Sequence, residues 1–153
     1  MLVERALADP DLLVFGELLR LPAVAALATS HSALHQQLEL FAYGDLSDVA
    51  PGDEPDKPAL LDKLRLLTVA RAATKSRCLS LDALSRTLRT SSRDATEDVI
   101  IAAQYRGLVE GRIDAAAGVF DVAAVAGRDL RSRDIDREIV AKLRDFLQRD
   151  RSL

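Results

Sequence analysis

The segment from Leu79 to Leu130 constrains the fold most, because its apolar pattern changes from helical to strand-like periodicity within one short stretch. The helical patterns cover Leu81–Leu88 and Asp94–Leu108. A candidate hairpin follows, with strands at Arg112–Asp114 and Val119–Val122 around an Ala-Ala-Ala-Gly turn.

Helix, helix and hairpin in this order predict a winged helix, whose second helix commonly enters the major groove of DNA. In this chain the second helix carries Asp94, Glu97 and Asp98 near its N-terminus, the end that would meet phosphates or base edges. Because neutralising phosphates requires Lys and Arg, this helix is poorly suited to DNA. The same carboxylates stabilise the positive end of a helix dipole, so they fit a module that binds proteins.

A basic cluster at Arg86, Arg89 and Arg93 keeps a nucleic-acid partner open as an alternative. These residues would share a face, and could touch phosphates, if the first helix continued through them. The other interpretation is a solvated face on a short helix. Because the whole chain has a net charge of −3, we expect protein partners and no nucleic acid.

The remainder of the chain indicates helices on both sides of this unit. At 153 residues the chain has the size of one domain, and its abundant Ala and Leu favour a helical, aliphatic core. We predict a mainly α fold with three parts. They are a helical-repeat bundle (HEAT/TPR-like) at residues 1–75, a winged-helix subdomain with a small antiparallel β-sheet at 76–130, and a C-terminal helix at 131–153.

The segment Asp45–Asp56 interrupts the helical half. It contains five acidic residues, two prolines and one glycine, and it has no positive charge. This composition predicts a solvated loop. A metal site is the alternative, but the spacing does not match the calcium-loop pattern.

The sequence offers no constellation for catalysis. It has neither the clustered glycines of a phosphate cradle nor a G-x-S-x-G motif. His31 and His35 share a helical face, but they lack the glutamate of H-E-x-x-H and a third ligand. Cys78 is the single cysteine, which fits a reducing compartment. No apolar run reaches membrane-spanning length. We therefore expect no enzyme activity, no cofactor, no metal and no membrane partner.

Nearly the whole chain, from about residue 10 to 148, resembles subunit 7 of the COP9 signalosome, a family of PCI-domain proteins. The segments that carry the resemblance occur in order with compatible spacing: Val14–Leu19 with Leu21–Val24, Phe41–Gly44, Lys63–Val69, Glu97–Ala103, and Gly127–Leu130 with Asp134-Ile135 just after. The chain departs from the family at the wing tip Ala115–Gly118 and at the loop Asp45–Asp56. Family members continue into further C-terminal helices, so we expect this chain to be truncated at Leu153.

The resemblance implies a non-catalytic scaffold in the cytoplasm and nucleus. The signalosome removes the ubiquitin-like protein NEDD8 from the cullins of cullin-RING ubiquitin ligases, with a zinc protease in a different subunit. Family members dock on other PCI subunits through the edge of the winged-helix sheet. Their C-terminal helices bundle with MPN and PCI subunits. The PCI subunit m of translation initiation factor 3 is the nearest alternative, since it shares the tyrosine-glycine and leucine-rich helix motifs.

Two candidate partner-binding surfaces follow from the residues. The hairpin strand at Val119–Val122 is predicted to be an edge strand, whose unpaired peptide groups are a template for another chain. The last helix, from about Asp134 to Arg149, is predicted to carry an uncovered apolar stripe. The candidate site residues are Val119, Phe120, Asp121, Val122, Ile135, Ile139, Leu143 and Phe146. Phe120 faces either a partner or the core, and periodicity alone does not decide which.

Overall fold

The computed structural model describes residues 2–150, so the end of the predicted C-terminal segment, 151–153, lies outside the described residues. The N-terminal half is built from short helices with tight links. They are α1 (Leu2–Ala8), α2 (Gly16–Arg20), α3 (Pro22–Ala25), α4 (Leu27–Ser30) and α5 (Ser32–Tyr43). None of the helices in the described part is long and apolar enough to cross a membrane.

The long helix α6 (Pro58–Lys75) joins the two halves of the molecule. Pro58 fits its first turn, where the missing N–H leaves no hydrogen bond unmade. Leu64 and Leu67 belong to the core of the N-terminal helices, whereas Val69 and Ala70 belong to the core of the C-terminal half. Because α6 forms a wall of both cores, the two halves pack as neighbours on one helix. The division at residue 75 stays a prediction.

The second half is a winged helix, which confirms the predicted fold class. Its elements are β1 (Cys78–Ser80), α7 (Leu81–Leu88), α8 (Arg93–Tyr105), β2 (Val109–Asp114) and β3 (Val119–Val125). The strands form one antiparallel sheet in the order β1-β3-β2. The chain then continues through α9 (Ser132–Ile135), a π-helical turn (Asp136–Val140) and α10 (Ala141–Asp150).

The prediction that Val119–Val122 is an edge strand is wrong, because β3 lies in the centre of the sheet. β1 pairs with one side of β3 and β2 pairs with the other. Phe120 is fully buried and Val122 is nearly so, and both pack in the core beneath the sheet. The free edges of this sheet are therefore β1 and β2.

The prediction of a solvated loop at Asp45–Asp56 is wrong for its first part. Asp45 caps a short 3₁₀ helix, Leu46–Asp48, by accepting a hydrogen bond from the backbone N–H of Ser47 at 2.8 Å. Leu46 is fully buried, and its N–H donates to Thr68 Oγ1 of α6 at 3.0 Å. The segment is held by residues on α6 that local sequence patterns could not assign to it.

Candidate protein-interaction surfaces

The outward edge of β2 presents the longer of the two free strand edges. The N–H of Val122 donates to the carbonyl of Arg77 at 2.7 Å, so this residue turns its peptide groups towards β1. Val122 is the register partner of Gly111, which makes that pair non-hydrogen-bonded. Because bonded and non-bonded pairs alternate, Gly111 and Ile113 both turn their peptide groups away from β3. The carbonyl of Gly111 accepts from Gln104 Nε2 of α8 at 2.8 Å.

Gly111 is required where β2 crosses β3, because a side chain there would collide with the backbone carbonyl of Asp121 and the ring of Phe120. The pairing of β2 with β3 shifts register between Glu110 and Gly111, because β3 carries one extra residue, Ala123. The bulge is therefore in the central strand, and β2 pairs regularly from Gly111 to Asp114. The regular part of the edge that remains for a partner is centred on Ile113.

The four candidate residues on β3 do not form one surface. Phe120 and Val122 are core residues, so their side chains are not available to a partner in this fold. Val119 is half-buried, and Asp121 is exposed opposite Arg112 of β2 and Cys78 of β1. Desolvation raises the pKa of the Cys78 thiol, and the hydrogen bond to Asp121 and the charge of that residue raise it further.

The acidic N-terminus of α8 is exposed and capped. Ser92 Oγ accepts from the backbone N–H of Ala95 at 3.1 Å. Asp94 and Asp98 are exposed, and the same helix exposes Tyr105 near its other end. This surface therefore offers carboxylates and an aromatic ring, and its one arginine, Arg93, is bound to Asp82, so it offers little of the positive charge that phosphates require.

The basic cluster at Arg86, Arg89 and Arg93 does not share a helix face, because α7 ends at Leu88 and Arg89 adopts a left-handed conformation with φ of 53°. The Arg89 guanidinium binds the Glu54 carboxylate and the carbonyl of Val49, so it holds the segment after the 3₁₀ helix. The hydrogen bond from Arg93 to Asp82, at 2.9 Å, lowers the pKa of that carboxyl. Two of the three guanidinium groups are thus already bound within the protein, which argues against a phosphate footprint.

The C-terminal helices expose an apolar stripe. Ile135, Ile139, Leu143 and Phe146 are 42%, 40%, 56% and 66% exposed. One helix was predicted from about Asp134 to Arg149, but the structure has a π-helical turn between α9 and α10. The turn alters the angular spacing of the stripe, which the sequence spacing did not reveal. Large side chains exposed in a row are typical of an interaction surface.

Arg128 fixes the segment between β3 and α9 to the end of α5. Its Nη2 donates to the carbonyls of Phe41 at 3.0 Å and Ala42 at 3.2 Å, and its Nη1 donates to the carbonyl of Gly44 at 2.9 Å. These are carbonyls of the last turn of a helix, where a cation is favourable. Burial lowers the pKa of the Arg128 guanidinium.

Asp129, the next residue, binds the opposite kind of helix end. Its Oδ2 accepts from the backbone N–H groups of Phe15 and Gly16, both at 2.8 Å, at the start of α2. An anion is favourable at this positive end of a helix. The pair Arg128–Asp129 thus clamps the winged helix to the helical half, with each charge at its complementary helix pole.

Lys63 stabilises the first break in the helical half, which is the segment between α1 and α2. Its Nζ donates to the carbonyls of Leu7 at 3.0 Å and Asp9 at 2.6 Å, and it lies 4.7 Å from the centroid of the Phe15 ring. Desolvation lowers the pKa of Lys63 to about 8. Arg106, at the end of α8, binds the carbonyl of Pro10 in the same break. The winged helix therefore contacts the first break as well.

An open cleft of about 1000 Å³ lies between α5, α6 and the segment that enters the C-terminal helices. Tyr43, Arg71, Lys75 and Asp48 are among the side chains that line it. Arg71 is already bound, through Nε to Asp45 at 3.1 Å. Within the described residues no group of three His, Cys, Asp or Glu side chains could hold a metal ion.

A helical half, a winged helix on a shared long helix, and exposed terminal helices define a PCI domain. The model of the PCI domain family matches residues 51–123, and the chain belongs to this family. Within the family it is similar to subunit 7 of the COP9 signalosome. It is 36% identical to the Arabidopsis thaliana protein over 138 residues, covering 85% of this chain and 52% of that protein.

Two further relatives bear on the choice within the family. Subunit 7a of the COP9 signalosome from Mus musculus is 33% identical over 139 residues, covering 88% of this chain and 50% of that protein. Subunit M of eukaryotic translation initiation factor 3 from Pyricularia oryzae is 33% identical over 139 residues, covering 80% of this chain and 31% of that protein. The chain spans about half the length of the signalosome relatives cited here.

Sequence reasoning missed the outward edge of β2 and the roles of the clamp residues. The three-residue strand β1 gave no periodic signal, so β3 was wrongly assigned to an edge. The clamp residues were visible as the motifs at Phe15-Gly16 and Gly127–Leu130. The charges of Arg128 and Asp129, together with Gly16, were a signal for binding at helix ends. The helix ends that Arg128 and Asp129 bind, however, lie more than 80 residues away in the sequence.

Proposed function

We propose that this protein is a non-catalytic scaffold subunit of the COP9 signalosome type, present in the cytoplasm and nucleus. The observation that carries the proposal is the similarity to subunit 7 proteins over most of the chain. The scaffold would support assembly of the complex that removes NEDD8 from the cullins of cullin-RING ubiquitin ligases. The exposed carboxylates of α8 favour a protein partner over nucleic acid. Arg89 and Arg93 favour it too, because each is already bound to a carboxylate of this protein.

The first proposed docking surface is the edge of β2. A strand of another PCI subunit would pair with this edge and join the sheets of the two subunits. Ile113 turns its N–H and carbonyl away from β3, so an added strand can pair with them. This replaces β3 as the proposed edge and retains the predicted mode of docking. Main-chain pairing of this kind depends on the peptide groups more than on the side chain.

Replacing Ile113 by proline should abolish docking through this edge, whereas alanine should preserve most of it. Both variants remove the half-buried isoleucine side chain, but only proline removes the outward N–H. We expect Ile113→Pro to reduce co-purification of PCI subunits by about tenfold or more, the equivalent of roughly 1.4 kcal/mol. The measurement is quantitative affinity purification of both variants from cells, with thermal melting to match their folded fractions. Equal loss in both variants would exclude main-chain pairing at this edge.

The second proposed docking surface is the apolar stripe of the C-terminal helices, which would bundle with MPN and PCI subunits. Leu143 and Phe146 are more than half exposed, so their burial against a partner removes apolar surface from water. Aromatic and aliphatic anchors near the centre of an interface commonly dominate its binding energy.

A Leu143→Asp, Phe146→Asp double variant should lose co-assembly without losing its fold. Two charges placed in a desolvated bundle should cost about 2 kcal/mol or more each, about 4 kcal/mol together, which weakens binding by several hundredfold. The melting temperature should change little, because both side chains are exposed in the isolated chain. The matched control is Arg144→Asp, which adds an aspartate to the same exposed helix outside the stripe. Retained co-assembly of the double variant would exclude the stripe as a docking surface.

The same purification separates the two PCI complexes that the relatives represent. Recovery of signalosome subunits with the unchanged chain supports the proposed function. The similarity to subunit M of translation initiation factor 3 makes that complex the second candidate. Recovery of initiation factor 3 subunits, with ribosome association and without signalosome subunits, would replace the proposal by this alternative.

A further inference from the structure

We infer that the contact between Asp129 and Gly16 sets the orientation of the C-terminal helices. The Phe15-Gly16 motif at the start of α2 thereby orients the apolar stripe, which follows the winged helix in the chain. This inference rests on the proposed function for its biological meaning, because the helices it aims carry the proposed apolar stripe. Its structural content is independent of any partner.

The geometry places three anchors within four residues just before α9. Arg128 binds the end of α5, and Asp129 binds the start of α2. Arg131 then lies over the ring of Tyr43, 5.0 Å from its centroid. The N–H of Asp134 donates to the carbonyl of Arg131 at 2.8 Å, so the first turn of α9 begins directly on the last anchor. Anchors on two separate helices fix the direction of the segment as well as its position.

Asp129 attaches the C-terminal segment to the start of α2. Gly16 leaves the space that the Asp129 side chain needs for this contact. A Cβ atom on residue 16 would lie 2.6 Å from Asp129 Oδ1 and 2.8 Å from its Cγ. The side chain of Asp129 would have to withdraw from the two N–H groups that it accepts from at 2.8 Å. An alanine at position 16 therefore disturbs the anchor without altering Asp129 itself.

Gly127 provides a matched control within the same segment. A Cβ atom there would meet nothing within 4 Å, and its φ is outside the range reserved for glycine. Gly127→Ala therefore adds the same methyl group two residues from Asp129 and leaves the clamp intact. Asp129→Asn provides a second, milder disturbance, because it keeps the size of the side chain and removes the charge that favours binding at a helix N-terminus.

The test is a pulsed electron-spin distance measurement between α5 and α10. Nitroxide labels are attached to cysteines at two exposed positions, Ser32→Cys and Arg144→Cys, after the native thiol is removed by Cys78→Ser. The unchanged clamp and Gly127→Ala should give the same narrow distance distribution. Gly16→Ala and Asp129→Asn should each give a broadened, shifted distribution while circular dichroism shows that the helices persist.

A purely structural role predicts a different result. If Gly16→Ala and Asp129→Asn lower the melting temperature but keep the original distance distribution, the positioning inference is overturned. Should Gly16→Ala fail to fold, the milder Asp129→Asn decides between the two outcomes. Co-purification of partner subunits is measured separately, so a chain that binds no signalosome subunit but shows the expected distance changes rejects the proposed function alone.

Discussion

Replacing Phe120 by aspartate should unfold the winged-helix half of the protein. Phe120 is fully buried, and its ring packs beneath β2 where Gly111 leaves room for it. Removing a buried phenylalanine side chain costs about 3–5 kcal/mol. The carboxylate must also be buried unpaired or protonated, which adds several kcal/mol more. The sum is comparable to the roughly 5–15 kcal/mol that stabilises a domain, so we expect loss of the cooperative thermal transition.

The measurement is thermal and urea unfolding followed by circular dichroism, with Phe120→Leu and Asp121→Asn as controls. Phe120→Leu keeps an apolar side chain and should retain a cooperative transition at lower temperature. Asp121 is exposed on the same strand, so Asp121→Asn should change stability by no more than about 0.5 kcal/mol. A folded Phe120→Asp variant with native melting and lost partner binding would place this side chain at an interface instead.

The case of Phe120 shows what strand periodicity can predict and what it leaves open. Phe120 and Val122 are two residues apart on β3, which places them on one face of the strand, and both lie in the same core. Whether that strand was central depended on β1, a three-residue segment that joins β3 from about forty residues earlier. So short a strand carries no periodic signal, because its pairing is set by the fold around it.

Helical periodicity predicted more, because an amphipathic helix records its buried face locally. Leu60, Leu64 and Leu67 recur at helical spacing along α6, and all three lie in the core of the N-terminal helices. That α6 also faces a second core, through Val69 and Ala70, required knowledge of both halves. The contacts of Arg128 could not be predicted from local patterns either. The carbonyls of Phe41, Ala42 and Gly44 that it binds lie 84–87 residues earlier in the sequence.

The acidic segment after α5 was misassigned for the same reason. The composition of the segment predicts that its polar residues face water. It does not predict the hydrogen bonds and the ion pair that hold the segment to residues distant in the sequence. Thr68 binds Leu46, and Arg89 binds Glu54 from a left-handed position at the end of α7. The same contact binds Arg89 within the protein, which disfavours the alternative of a basic face shared with Arg86 and Arg93.

Replacing Arg128 by alanine should lower the stability of the whole PCI domain by about 3 kcal/mol. The variant leaves the carbonyls of Phe41, Ala42 and Gly44 without their donor, and hydrogen bonds to a charged group contribute about 1.5–3 kcal/mol each before relaxation. Water can reach the site after the side chain is removed, so the contributions should not add fully. For a domain of this size the melting temperature should fall by roughly 6–12 °C.

Arg128→Lys and Arg133→Ala separate the cause of this effect. Lysine keeps the charge near the negative end of α5 but lacks the planar fork that spans several carbonyls, so its loss should be intermediate. Arg133 is exposed, and its alanine variant should shift stability by less than about 0.5 kcal/mol. Urea unfolding of the three variants measures the differences directly. If Arg128→Ala unfolds at the same urea concentration as Arg133→Ala, Arg128 contributes no stability. The attachment of the winged helix would then depend on the shared core along α6 and on the contacts of Asp129, Arg89 and Arg106.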